Sequence, residues 1–152
     1  MTREAINPHS MYSSVEFGFS HAIKARGAVT IHCAGQVAWD KNHQVVGQGD
    51  IGAQARQSLR NLKEVLAAAG ATPADVVRMR TYIVNHRPEY LDPVGAALAE
   101  FYGGVTPAAN TLIGVQSLAL PEFLIEIEVT AQIDAGADPG GRVHAAGDAA
   151  LP

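Results

Sequence analysis

Pro107-Ala-Ala-Asn-Thr-Leu-Ile-Gly-Val115, followed after a short break by Phe123-Leu-Ile-Glu-Ile-Glu-Val129, carries most of the fold information in this chain. From Ile125 onward the residues alternate. Ile125, Ile127, Val129, Ala131 and Ile133 fall on one side of an extended segment, and Glu126, Glu128 and Thr130 on the other. Successive side chains of a strand point to opposite faces, so one face is apolar and the other mixed. Two strands are expected, at about 110–118 and 122–134.

Upstream, the period changes. Ala55, Leu59, Leu62 and Leu66 follow one another at helical spacing, which is one buried stripe. Asp50 is a good N-cap for that helix and Gly70 a good stop. Thr72-Pro-Ala-Asp75 reads as a capped turn and residues 76–84 as a buried strand containing Val77, Met79, Tyr82 and Ile83. Pro88 suits the first turn of a second helix reaching Phe101, with Leu91, Val94, Leu98 and Phe101 as its stripe and Gly103-Gly104 as its end.

The N-terminal third is less regular. Residues 1–12 are polar, carry Pro8 and read as an irregular lead-in. Val15, Phe17 and Phe19 alternate with Ser14, Glu16 and Gly18, the pattern of a strand. Residues 28–34 form another, with Val29, Ile31 and Cys33 on one face. Gly35 interrupts it, which predicts a bulge or a close backbone approach. Residues 36–39 continue extended, 40–43 turn and 44–46 return, so that Trp39 and His43 flank a hairpin tip. The order β-β-β-α-β-α-β-β predicts an α+β layer with two helices on one sheet face. Residues 1–135 read as a single domain. Residues 136–152, rich in Gly and Ala and without periodicity, read as a flexible tail.

The bulk composition narrows the function. The chain has 152 residues, 47% hydrophobic and 17% charged, with a net charge of −4. That is ordinary for a folded domain and gives nucleic acid no electrostatic help. One cysteine, Cys33, excludes an internal disulfide. Its alternation with Val29 and Ile31 reads as a buried inert thiol. The first eight residues hold no apolar core of a signal peptide, and no apolar run approaches the ~18 residues of a membrane span. Cytoplasm is the expected compartment, with no membrane and no nucleic-acid partner. The six histidines show no zinc-like spacing, so no metal is expected. Gly103-Gly104 after a helix fits a cap and not a phosphate cradle, so no cofactor is expected.

The two quoted stretches, together with Gln54-Ala-Arg-Gln-Ser-Leu-Arg-Asn-Leu-Lys63, Ala67-Ala-Ala-Gly70 and His32-Cys-Ala-Gly-Gln36, resemble the reactive-intermediate deaminase family (Rid, or YjgF-like) over residues 9–134. The resemblance implies a homotrimer whose sheets form a central barrel, with sites in clefts between subunits. It also implies hydrolysis of enamines and imines without a cofactor. Position by position it assigns Tyr12 and Glu126 to the reacting cleft, Gly35 to a backbone contact, and Asn110 and Thr111 to substrate binding. Many members carry at the Asn110 position an arginine that clamps the substrate carboxylate with two parallel hydrogen bonds. Asn110 offers an amide donor and acceptor but no charge.

Two functions follow. One is a hydrolase or deaminase of a reactive enamine, imine or related small nitrogen compound, outside the usual 2-imino acids because of Asn110. The other is a non-catalytic trimer that binds a small ligand or a partner in the same cleft. Each site residue also has a plain structural role open to it: Glu126 on a solvated face, Asn110 at a strand start, Gly35 in a bulge and Tyr12 as a packed edge aromatic. Ribonuclease activity, known in some relatives, is disfavoured by the acidic charge and the lack of a histidine pair.

Overall fold

The computed structural model describes residues 1–137. Its elements are β1 (Thr2–Ile6), β2 (Ala22–Arg26), β3 (Val29–Gln36), α1 (Ile51–Ala68), β4 (Val76–Val84), α2 (Leu91–Tyr102), β5 (Ala109–Val115) and β6 (Ile125–Ile133). The string of element types is the expected α+β one, although the strands at Thr2–Ile6 and Ala22–Arg26 fall on other residues than expected. A four-stranded sheet runs β3-β6-β4-β5, and β1 pairs with β2 in a separate antiparallel ribbon. Within the larger sheet only β4 and β5 are parallel, as the helical crossover between them requires.

The stripes explain how the layers join. Leu59, Leu62 and Leu66 of α1 and Val94, Leu98 and Phe101 of α2 are buried in one cluster with Met79, Ile83, Ile125, Ile127 and Val129. Removing each such side chain from water is worth about 1.5–3 kcal/mol. Glu126, Glu128 and Thr130 are only half-buried on the opposite face.

The ends of α1 follow local chemistry. The Asp50 carboxylate accepts a hydrogen bond from the Ala53 N–H at 3.0 Å. Gly70 sits at φ +73°, while Gly70 N donates to Ala67 O and Ala71 N to Leu66 O. That pair of bonds is a Schellman ending. The expected capped turn forms at Thr72–Asp75, where the Asp75 carboxylate accepts from the Thr72 N–H at 2.8 Å and from its hydroxyl at 2.9 Å. The second helix begins with a 3-10 turn, Pro88–Tyr90, and Pro93 lies in the first turn of α2, where its missing N–H costs nothing.

Three expectations from the N-terminal third are corrected. Residues 15–19 are not a strand. Val15–Phe17 is a 3-10 turn, and the Gly18 N–H donates to Val15 O with φ at +81°. That left-handed residue, which glycine tolerates, breaks the alternation. The lead-in is not wholly irregular, because Thr2–Ile6 pairs with Ala22–Arg26 residue for residue. Residues 44–46 contribute a single bridge, Trp39 to Val45, and not a full strand. The described chain ends in a 3-10 turn at Ala135–Ala137. The rest of the predicted tail lies outside the described residues. Among the described residues no helix is long and apolar enough to cross a membrane.

Candidate functional site

β5 is one of the two edge strands of the four-stranded sheet. Asn110 pairs in register with Met79, Thr111 with Arg80 and Leu112 with Thr81. Strand alternation therefore turns Asn110 and Leu112 toward the helix side. The Thr81 hydroxyl donates to Asn110 Oδ1 at 3.3 Å. Thr81 is fully buried, and Asn110 is its only side-chain hydrogen-bond partner among the described residues. A buried hydroxyl needs an acceptor, and that need orients the amide. Its oxygen faces Thr81, and its NH2 has no hydrogen-bond partner among the described residues.

An open groove of about 870 Å³ runs along this edge between β5, α2 and the loop after β1. Tyr12, Phe17 and Phe19 line one side, Leu91 and Asp92 the other, with Asn110, Thr111 and Leu112 along the strand. A short network holds the loop in place. Asn7 Oδ1 accepts from Ser14 Oγ and from the His21 N–H. Ser20 donates from its backbone to Ala108 O and from its hydroxyl to Pro107 O at 2.7 Å. His21 Nε2 lies 2.9 Å from Tyr12 O, and the Tyr12 ring packs edge-on against His21 and Phe19.

Gly35 and Glu126 meet elsewhere. The β3 to β6 register shifts between Cys33 and Gln36, which is the predicted bulge. A methyl group at Gly35 would stand 2.7 Å from both Cγ and Cδ of Glu126 and would overlap its Oε1. Only glycine allows the carboxylate this close to the backbone. Across the sheet Glu126 faces Tyr82. Strand β4 separates this pair from β5. The chain thus brings Tyr12, Asn110 and Thr111 into one groove and holds Gly35 with Glu126 at a second place.

The other candidates take structural positions. Cys33 is buried, and burial pushes its thiol pKa up, which suits the inert reading. Trp39 packs edge-on against the buried Phe123, ring centroids 5.1 Å apart. Sequence reasoning missed Thr81, Asp92 and the Ser20 staple. A lone hydroxyl between Met79 and Ile83 on the buried face of β4 was the available signal for Thr81.

The family described as Endoribonuclease L-PSP matches residues 11–133. A RutC family protein of Pyrococcus horikoshii is 35% identical over 114 residues, 74% of this chain and 85% of the relative. The chain belongs to the Rid (YjgF) family. The Rid protein YyfB of Yersinia pestis has the same fold at a TM-score of 0.85 and 59% identity, over 88% of this chain and 100% of that one. A YjgF-family protein of Mycobacterium tuberculosis matches at a TM-score of 0.57 and 30% identity, over 87% of this chain and 100% of that one. At the family level, Rid membership supports a small-molecule deaminase or related function.

Proposed function

We propose that this Rid protein is a cofactor-independent hydrolase or deaminase of a reactive enamine, imine or related small nitrogen compound. It acts as a homotrimer, in the cytoplasm, a reducing compartment that suits its one buried thiol. The observation that carries the reading is the contact between Gly35 and Glu126, where a carboxylate is held against backbone at a bulge. Bulges recur beside active sites because they re-aim groups that regular pairing would hold flat.

A composite cleft accounts for the two separated sets of residues. The Gly35 and Glu126 pair of one copy meets the Tyr12, Asn110 and Thr111 groove of the next. Two surfaces support the assembly. Tyr12 and Phe17 are each 64% exposed at the groove mouth, and large exposed apolar groups mark contact sites. The sheet face away from the helices mixes Glu126, Tyr82 and the Arg80–Glu128 ion pair at 3.5 Å.

In this reading Glu126 activates water and moves its proton. Water adds to the C=N carbon and Glu126 passes its proton to nitrogen, giving a carbinolamine. Glu126 then carries the hydroxyl proton to nitrogen as C–N breaks, C=O forms and ammonia leaves. The backbone at Gly35, the Asn110 amide and the Tyr12 and Thr111 hydroxyls orient the reacting group. Without an arginine at position 110, a substrate carboxylate loses a charge-assisted hydrogen bond worth about 1.5–3 kcal/mol. That is roughly one to two decades of affinity.

The test is ammonia release from freshly generated 2-iminopropanoate and 2-iminobutanoate, comparing wild type, Glu126→Gln and Asn110→Arg. Asn110→Arg should hydrolyse both imino acids faster than wild type, and Glu126→Gln added to it should abolish the gain without changing the fold. Activity that survives Glu126→Gln removes the assignment. The alternative of a non-catalytic binding trimer is favoured by the uncharged Asn110 itself. It gains if Asn110→Arg stays inactive.

A further inference from the structure

We infer that the groove beside β5 selects an organic cation with an apolar body, so that the substrate is the iminium form of an amine-derived imine without a carboxylate. This rests on the hydrolase reading and names its substrate class. Three observations carry it. First, Glu16 and Asp92 both line the groove, and among the described residues no lysine or arginine does. Neither carboxylate is ion-paired among the described residues. Second, Tyr12, Phe17 and Phe19 present aromatic surface to the same space, and aromatic faces attract organic cations. Third, Thr81 takes up the Asn110 oxygen, which leaves the amide NH2 to donate to a neutral acceptor such as a carbonyl oxygen.

The chemistry is consistent with that polarity. A protonated imine R–CH=NH2⁺ carries its charge on the reacting group. Hydrolysis, R–CH=NH2⁺ + H2O → R–CHO + NH4⁺, breaks C=N, forms C=O and involves no net oxidation. A groove with two carboxylates favours the protonated form, the one that water attacks, and repels a substrate carboxylate. The aldehyde oxygen that forms is an acceptor of the kind the Asn110 NH2 can bind. Asp92 also lies in the first turn of α2, where a negative charge stabilises the helix. That role affects stability but gives no preference among ligands.

The probes are 2-phenylethylammonium and 3-phenylpropanoate, which share an apolar body and differ in the sign of their charge. Each is titrated into the full chain, with amide shifts read at Asn110 and Leu112. The cation should bind in the groove and the anion at least tenfold more weakly. Asp92→Asn and Glu16→Gln should each weaken the cation about threefold to fivefold, the scale of an exposed ion pair, and narrow the preference. Equal or tighter binding of the anion overturns the inference, as does no binding of either, or a preference that survives both substitutions. The two readings fail separately. If Glu126→Gln abolishes imine hydrolysis but the anion is preferred, the substrate class falls and the hydrolase stands. If the cation is preferred but no amine-derived imine is turned over, the hydrolase falls.

Discussion

Gly35 is the residue on which most depends. Gly35→Ala places a methyl group where the Glu126 side chain now lies. The far end of a glutamate can move, so the cost in stability should be about 1–3 kcal/mol, as for other overpacking changes. The displaced carboxylate should cost more in function, roughly a hundredfold in turnover for a shift near 1 Å. Urea denaturation and the ammonia assay on one preparation test both, and unchanged turnover would detach the bulge from catalysis. Tyr102 gives a pH prediction. It is buried, its oxygen accepts from the Ala108 N–H, and burial pushes its pKa up to about 12. The unfolded phenol titrates near 10. The folded form thus holds the proton more tightly, and its contribution is complete below pH 10. It is lost as pH rises from about 10 to 12, at most by roughly 2–3 kcal/mol. Tyr102→Phe should be less stable at neutral pH and should show a shallower loss over that interval in thermal melts at stepped pH.

Helix α1 sets the position of the strand that bears Glu126. Gln54 is fully buried near the N-terminal end of the helix. Its side-chain NH2 donates to Glu122 O, and its Oε1 accepts from the Leu124 N–H, each at 2.9 Å. Leu124 O in turn accepts from Val84 N. One amide therefore fixes Glu122 and Leu124, just ahead of Ile125, and with them the register of β6. Gln54→Leu leaves a buried donor and a buried acceptor unpaired, at about 1–3 kcal/mol each. Denaturation should show a loss of roughly 2–6 kcal/mol, and a loss below 1 kcal/mol would mean that water replaces the amide. The β1–β2 ribbon is held differently. Arg3 donates from Nε to Val76 O and from Nη2 to Thr106 O, joining the N-terminal strand to β4 and to the loop before β5.

For the whole molecule, the separation of Gly35 and Glu126 from the Asn110 groove makes assembly a condition of the proposed chemistry. Sedimentation equilibrium should give three times the chain mass. Arg80→Glu places a like charge beside Glu128 on the open sheet face and should lower both that mass and turnover. A wild-type monomer that still hydrolyses an imine would reject the composite cleft. Elements in the chain were legible to different degrees. The α1 stripe, the Asp50 cap, the Gly35 bulge and the Ile125–Ile133 alternation could all be read directly, because each is a local period or a local hydrogen bond. Val15 to Phe19 alternated just as regularly, yet a left-handed Gly18 and a 3-10 turn replaced the strand. Thr2–Ile6 looked irregular because its partners lie about twenty residues away in β2 and more than seventy away at Val76.

The amino-acid sequence by itself determined the α+β class, the helix ends, the face that β6 buries and the identity of Asn110, all properties of neighbours along the chain. Only the tertiary structure decided that Thr81 turns the Asn110 amide toward the groove, that Glu16 and Asp92 line it with no lysine or arginine among the described residues, and that Glu126 lies across the sheet from it. Those facts depend on strand order and register, which are set by hydrogen bonds and packing between residues far apart in sequence.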